Sequence, residues 1–301
     1  MNPLDYLTES DVRARLSYAA LIPAMERTLI DFSAGRVMQP VRTSIPIPRS
    51  EGVLAMMPAI YGEVMGVKLL TYNLENASRG LPVYFTSLHL FRAATGEPLA
   101  RMDATAVTEM RTAAVSAVAA RRLARANARV LAVLGTGVQA RAHVAALRCV
   151  REISEVRVWG RTPARAAQCA RDVGGNAMAA DAAVRGADIV VTATGTSEPV
   201  LMGAWLGEGA CVLTIGGYGP TRRELDDDAM RGTLVVDSRA AALAESGDVI
   251  QSRAPISAEI GEVLAGSVAL PAAHHIVFKS NGLAAEDVAA GELVWRATAT
   301  P

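Results

Sequence analysis

The spacing of apolar and polar positions changes along the chain, and each change predicts a different kind of element. From Thr8 to Gly35, residues such as Leu16, Ala19 and Ala20 recur between charges at helical spacing; Thr8 or Ser10 can cap an acidic first turn, and Gly35 ends the segment. Pro23 predicts a break into two helices. From Arg42 to Met102 the period shortens to two. VMQPVRTSIPIP alternates Val41, Thr43, Ile45 and Ile47 with Arg42, Ser44 and prolines that push it to a sheet edge. GVLAMMPAIYG, VMGVKLLTYN and PVYFTSLHLFRA read as three further strands, and Thr95-Gly96 as the turn into a short strand from Pro98 to Met102. This stretch predicts an antiparallel or mixed sheet with little helix.

At Asp103 the helical period returns. ATAVTEMRTAAVSAVAARRLA places Val107, Met110, Ala114, Ala117 and Val118 on one stripe, with Thr108, Arg111 and Thr112 sharing another face. Strands then alternate with helices: Val130 to Leu134, Glu155 to Trp159, Asn176 to Ala179, Ala187 to Ala193, Ala210 to Ile215 and Leu234 to Asp237, with a helix from Pro163 to Val173. That alternation predicts a parallel, doubly wound sheet. The last segment, HHIVFKSNGLAAEDVAAGELVW, is a strand and an amphipathic helix (Leu283, Val288, Leu293) joined at Asn281-Gly282, and the helix is expected to return to the first domain.

The first strand of the alternating region runs straight into Gly135-Thr136-Gly137-Val138-Gln139-Ala140 and a new helix. Gly135 allows the tight turn, Gly137 lets backbone approach a pyrophosphate, and the exposed N–H groups of the helix start stabilise its charge. Ala140 takes the third-glycine position, where helix packs on strand. Ligands of such sheets lie outside the carboxyl ends of the strands, which marks the loops Gly135 to Gln139, Gly160 to Thr162, Thr194 to Ser197 and Gly216 to Pro220. An NAD site normally ends its second strand in a carboxylate; here that strand ends Trp159-Gly160-Arg161-Thr162, followed by Arg165. Arg161 and Thr162 suit a 2′-phosphate, so NADPH is the expected cofactor, with NADH as the alternative.

Composition narrows the class. With 301 residues, 51% hydrophobic, the chain is long enough for two domains. Lys plus Arg and Asp plus Glu are equal at 30, so no overall field favours nucleic acid or an anionic membrane. No stretch approaches the roughly 20 apolar residues of a membrane span, and MNPLDYLTESDVRARL lacks signal-peptide character. A cytoplasmic enzyme is expected. Cys149, Cys169 and Cys211 form no C-x-x-C pair and are expected to be buried, inert thiols. His89, His143, His274 and His275 show no metal spacing, and no metal is expected.

A cofactor domain needs a substrate site elsewhere. Arg42, Lys68 and Arg111, expected on a strand, a strand and the linking helix, are candidates to hold a carboxylate, which guanidinium forks bind in a bidentate manner. The choice of these three rests on a resemblance. VMQPVRT at Val37 to Thr43, MPA at Met57 to Ala59, K-L-x-T from Lys68, RTAAVSA at Arg111 to Ala117 and G-x-G-x-Q-A at Gly135 to Ala140 follow one another in order. So do EPVL at Glu198 to Leu201, RELDD at Arg223 to Asp227, VDS at Val236 to Ser238, ALAESGDV at Ala242 to Val249 and VFKSNGLAAED at Val277 to Asp287. Together they resemble the ornithine cyclodeaminase and mu-crystallin family over nearly the whole chain.

The resemblance implies a Rossmann domain (116–280) and a mixed α+β substrate-binding domain (1–115 with 281–301) that makes a homodimer. It implies that Arg42, Lys68 and Arg111 sit over the nicotinamide and bind the substrate carboxylate, that Met57 lines the pocket, and that Lys279-Ser280-Asn281-Gly282 closes it. Thr112, Thr136, Val138, Gln139 and Thr194 join the glycines as cofactor-side candidates. One departure matters: cyclodeaminases of the family carry an Asp where this chain has Tyr218, in Gly216-Gly217-Tyr218-Gly219-Pro220-Thr221-Arg222. A tyrosine cannot serve as a carboxylate near neutrality. The mu-crystallin branch, which resembles ketimine reductases, also lacks that Asp and shares the W-x-R-T pattern. The expected reaction is therefore reduction of a small cyclic imine carboxylate, with hydride delivered beside the bound carboxylate and Lys68 or solvent supplying the proton. Ornithine cyclodeamination and a binding protein without turnover are the alternatives.

Overall fold

A computed structural model describes residues 6–50 and 52–299. The first five residues, part of the stretch without signal-peptide character, lie outside the described residues, as do Thr300 and Pro301 at the end of the expected substrate domain. The chain divides into two compact units, Met1–Arg111 with Leu283–Pro301 and Thr112–Gly282; the boundaries expected from the sequence are 1–115 with 281–301 and 116–280.

The first unit comprises β1 (Tyr6–Leu7), α1 (Glu9–Arg13), α2 (Tyr18–Ser33), β2 (Val37–Met38), β3 (Thr43–Pro46), β4 (Val53–Tyr61), β5 (Val64–Tyr72), β6 (Tyr84–Arg92), β7 (Pro98–Asp103) and the start of α3 (Thr105–Leu123). It is completed by the chain's last helix, Ala284–Ala299. Among the described residues its sheet has seven strands in the order β1-β7-β6-β5-β4-β2, with β3 also on β4. β1 pairs parallel with β7 and the other pairings are antiparallel, so the sheet is mixed.

Strand alternation sorts this sheet into two faces. Ala55, Met57, Ala59, Gly66, Lys68, Leu70, Leu88 and Leu90 are buried on one face, and Leu54, Met56, Pro58, Ile60, Met65, Val67, Leu69 and Phe85 occupy the other. The terminal helix lies against the buried face: a Cβ on Gly291 would meet the Leu88 side chain at 2.4 Å, and one on Gly66 would meet Val288 at 3.2 Å.

Three local expectations are corrected, two in the first unit and one in the second. The helical segment breaks between α1 and α2, not at Pro23, because Ser17 caps α2 by accepting from the Ala20 N–H. Pro23 lies inside α2, where burial of Leu21, Ile22, Met25 and Leu29 offsets one missing backbone bond. Arg42 stands in the bend before β3 and not on a strand. In the second unit Cys149 is exposed, since it is the C-cap of a helix whose last buried residue is Leu147; Cys169 and Cys211 are buried.

After α3, whose terminal carbonyls at Ala120, Arg121 and Ala124 accept from the Arg151 guanidinium, the second unit runs through alternating elements. They are β8 (Val130–Leu134), α4 (Val138–Arg148), β9 (Glu155–Trp159), α5 (Pro163–Val173), β10 (Asn176–Ala177), α6 (Ala180–Val184), β11 (Ile189–Thr192) and β12 (Ala210–Thr214). Then follow α7 (Asp227–Met230), β13 (Thr233–Val236), α8 (Arg239–Glu245), α9 (Gly247–Ser252), β14 (Ile256–Glu259), α10 (Ile260–Leu264) and β15 (His275–Lys279), which makes the terminal helix α11. Eight parallel strands among the described residues lie in the order β10-β9-β8-β11-β12-β15-β13-β14. The order reverses between β8 and β11, the switch point at which such sheets open a crevice at their carboxyl ends. Among the described residues no helix is long and apolar enough to cross a membrane.

Candidate functional site

In the second unit the strand, turn and helix at the switch point are built for close approach. Gly135 has φ +143°, and a Cβ there would come 2.4 Å from the Ala193 carbonyl oxygen. Gly137 is the N-cap of α4 and makes no side-chain cap; a Cβ on it would meet nothing within 4 Å, so the helix start is open. Val138 beside it is 55% exposed, whereas Ala140 is buried against the strand. Thr136 faces the end of β9, where a Cβ on Gly160 would meet its methyl group at 2.4 Å. Backbone N–H groups at an open helix start, beside two glycines, fit a pyrophosphate.

Beyond β9, Arg161, Thr162 and Arg165 are all exposed. Thr162 is the N-cap of α5, but its exposed hydroxyl accepts no cap hydrogen bond from the helix. Gln139 and Thr112 are half-buried, Thr112 on α3. Thr194, just past β11, donates both its N–H and its hydroxyl to Glu224 at 2.6 Å. Tyr218 is 40% exposed on a loop whose backbone forms a bridge with Ser246.

The turn after β15 is shaped by one carboxylate. Asp237 accepts from the Ser280 hydroxyl at 2.9 Å and from the Asn281 and Gly282 N–H groups at 2.6 Å each. Ser280 therefore spends its hydroxyl inward, and Gly282 takes φ +80°. Lys279, expected to help close the pocket, is fully buried and turns to Asp248 at 3.0 Å and to the Gly216 carbonyl. Its place is in the frame of the unit.

In the first unit the register sets Met57 beside Lys68 on the buried face of the sheet. The Lys68 ammonium lies 2.7 Å from Asp287, and Arg111 donates to Glu286 and reaches Asp287 at 3.0 Å through Nε. Burial, opposed by Asp287 and reinforced by Arg111 and Arg42, pushes the Lys68 ammonium down to about 8. Arg111 stays well above the ordinary guanidinium value: burial opposes this, but Asp287 and Glu286 outweigh it. The structure thus brings Arg42, Lys68 and Arg111 within electrostatic reach of one another.

Glu286 and Asp287 are buried and are not among the residues expected from the sequence at the site, although both stand in the VFKSNGLAAED segment. The signal was present: two carboxylates in the first turn of a helix whose apolar stripe includes the adjacent Val288. Glu224, Asp237 and Asp248 are likewise not among the expected residues and organise the strand ends of the second unit. Among the described residues no group of His, Cys, Asp and Glu is arranged to hold a metal ion.

The model of the ornithine cyclodeaminase/mu-crystallin family matches residues 4–300. The chain is similar to ketimine reductase mu-crystallin of Mus musculus, 41% identical over 300 residues that cover 96% of each chain. Among solved structures it resembles Thermococcus litoralis Delta(1)-pyrroline-2-carboxylate reductase in complex with NADH and L-proline (TM-score 0.92, 33% identity, covering 97% of this chain and 96% of that one). It resembles equally an archaeal alanine dehydrogenase dimer with bound NAD (TM-score 0.92, 31% identity, covering 98% of this chain and 96% of that one).

Proposed function

The chain belongs to the ornithine cyclodeaminase/mu-crystallin family, and we propose that within it this protein is an NADPH-dependent reductase of small cyclic imine carboxylates. The observation that carries the reading is the buried Lys68 ammonium, held beside Arg111 by the carboxylates of α11 and lowered to about 8. A buried cation group of this kind suits a substrate anion, and an ammonium near neutrality suits proton donation.

In this reading Arg42 and Arg111 bind the substrate carboxylate and Met57 walls the ring. Lys68 contacts the carboxylate and carries the proton destined for the imine nitrogen. Reduced nicotinamide supplies the hydride. On the cofactor side, Gly135, Thr136, Gly137, Val138 and Gln139 hold the pyrophosphate, while Thr112 and Thr194 contact the cofactor. Gly160, Arg161, Thr162 and Arg165 take the 2′-phosphate, which favours NADPH over NADH; the exposed guanidinium groups and the exposed Thr162 hydroxyl support this choice. Tyr218, Ser280, Asn281 and Gly282 border the substrate. Tyr218 stands where the cyclodeaminases carry an Asp, and a tyrosine is no carboxylate near neutrality, so the reading is reduction and not ammonia loss.

The first unit is the substrate-binding and dimerisation domain. Leu54, Ile60 and Phe85, on the sheet face opposite Lys68, are 37%, 41% and 48% exposed, which suits burial against a second copy of the chain. The experiment that tests the function supplies NADPH with 1-pyrroline-2-carboxylate and, separately, with its six-membered homologue. Oxidation of NADPH is expected with at least one; no oxidation of either, together with ammonium release from ornithine, overturns the reading.

A further inference from the structure

We propose that Glu224 is a positioning residue of the cofactor site, acting through Thr194 and Gly216; the inference rests on the reading that a nicotinamide cofactor occupies the strand ends of the second unit. Glu224 is fully buried. Its Oε1 accepts the Thr194 N–H and hydroxyl, both at 2.6 Å. Its Oε2 accepts the Thr192 hydroxyl at 2.7 Å, the Gly216 N–H at 2.8 Å and the Thr214 hydroxyl at 3.0 Å. Thr192 and Thr214 end the adjacent strands β11 and β12, and Thr194 and Gly216 lie in the loops that follow. One carboxylate therefore fixes the exit directions of two neighbouring strands. A backbone N–H reaches each oxygen, and such donors accept nothing in return, so both oxygens must act as acceptors.

The same residue is tied from behind. Asp248 accepts the Glu224 N–H at 2.7 Å and the Lys279 ammonium at 3.0 Å, and Lys279 also donates to the Gly216 carbonyl. Lys279 ends β15, the next strand beyond β12, so the network spans three strand ends. Space around it is filled: a Cβ on Gly216 would lie 2.5 Å from the Glu224 Cδ. A second strut joins the two loops, where the Arg222 guanidinium donates to the Gly195 carbonyl at 2.9 Å. The loop that carries Tyr218 is held in turn by Gly219 donating to the Glu245 carbonyl at 2.8 Å. Satisfied buried networks of this kind fix the groups that a ligand meets.

The test is Glu224→Gln, with NADPH affinity measured by titration and steady-state kinetics measured on both substrates. The amide must turn an N–H2 group toward at least one backbone N–H, which breaks the network without removing volume. The expected result is a rise of roughly tenfold or more in the Kd and KM for NADPH, with the KM for the imine carboxylate changed less than about twofold. A purely architectural role would not produce that split. A folded Glu224→Gln protein that binds NADPH as the parent does overturns the proposal while leaving the functional reading intact. A parent that binds neither NADPH nor NADH overturns both. If Glu224→Gln does not fold, Thr214→Val decides, since it removes one hydroxyl donor to the Glu224 Oε2 at nearly constant volume: a rise of roughly threefold in the Kd for NADPH is expected, and an unchanged Kd overturns the proposal.

Discussion

Asp287 stands 2.7 Å from Lys68, with both side chains withdrawn from solvent, and the same carboxylate reaches Arg111 at 3.0 Å. The pairing changes what the cations can do. Lys68 and Arg111 are not bare charges awaiting a ligand; Glu286 and Asp287 balance them in the absence of substrate, so their burial leaves no uncompensated ion. Asp287 is also the group that raises the Lys68 ammonium against burial and against its cationic neighbours.

The first prediction concerns pH. The Lys68 ammonium is lowered to about 8, so it is charged below that pH and neutral above it. kcat/KM for the imine carboxylate should be highest below about pH 8 and fall by up to roughly tenfold per unit above it. Lys68→Arg should remove that limb, because a guanidinium stays charged. Asp287→Asn should move the limb to lower pH by deleting the charge that raises Lys68. A profile with the same limb in all three proteins would assign it to a group other than Lys68.

Arg111 carries the second. Arg111→Lys keeps the charge and loses the fork, so kcat/KM should fall by roughly 10–100-fold, the equivalent of one charged hydrogen bond, with NADPH affinity unchanged. Arg111→Ala should also lower stability by about 3–5 kcal/mol, since it leaves the buried Glu286 carboxylate without its ion partner and Asp287 with Lys68 alone. Calorimetry beside NADPH titration separates these outcomes, and loss of NADPH binding in a folded Arg111→Lys protein would assign the residue to the cofactor.

Cofactor choice supplies the third. Arg161→Ser should raise the KM for NADPH by roughly 10–100-fold and leave that for NADH within about twofold, since only NADPH carries the 2′-phosphate. Equal effects on the two cofactors would place the phosphate elsewhere.

Legibility of the sequence followed the range of the interactions. The glycine turn at Gly135 could be read directly because strand, turn and helix are neighbours in the chain, and α5 was bounded correctly from Pro163 to Val173 by its proline start and glycine end. β14 was missed: it is a four-residue strand at the sheet edge, with a register shift against β13 and no clear alternation. Pro23 misled because its penalty is local while the burial that offsets it is tertiary. In the candidate site, Arg42, Lys68 and Arg111 were chosen by resemblance, since nothing local distinguishes them from surface cations. Glu286, whose partner Arg111 is 175 positions away, and Glu224, which gathers donors from two strands, belong to contacts that no local pattern encodes.

His143 offers a test of the second unit alone. It is fully buried on α4, with Nδ1 2.8 Å from the Gln139 carbonyl and Nε2 2.9 Å from the Ser116 hydroxyl. The carbonyl can only accept, so Nδ1 carries the proton, and Nε2 accepts from Ser116 in a neutral ring. Burial pushes this imidazole down from 6.5 to about 4, against the opposing hydrogen bond to Gln139. The unfolded chain binds a proton at His143 below about pH 6.5 and the folded chain only below about 4. The stability that the neutral ring contributes is therefore complete above the higher value and is lost as pH falls toward the lower one, by about 3 kcal/mol in all. Urea unfolding at pH 7.5, 6 and 5 should show this decline in the parent. His143→Gln should be less stable at pH 7.5 but flatter across the same range, because its side chain does not titrate. An equally steep decline in the variant would mean that other groups, and not His143, set the acid sensitivity of the protein.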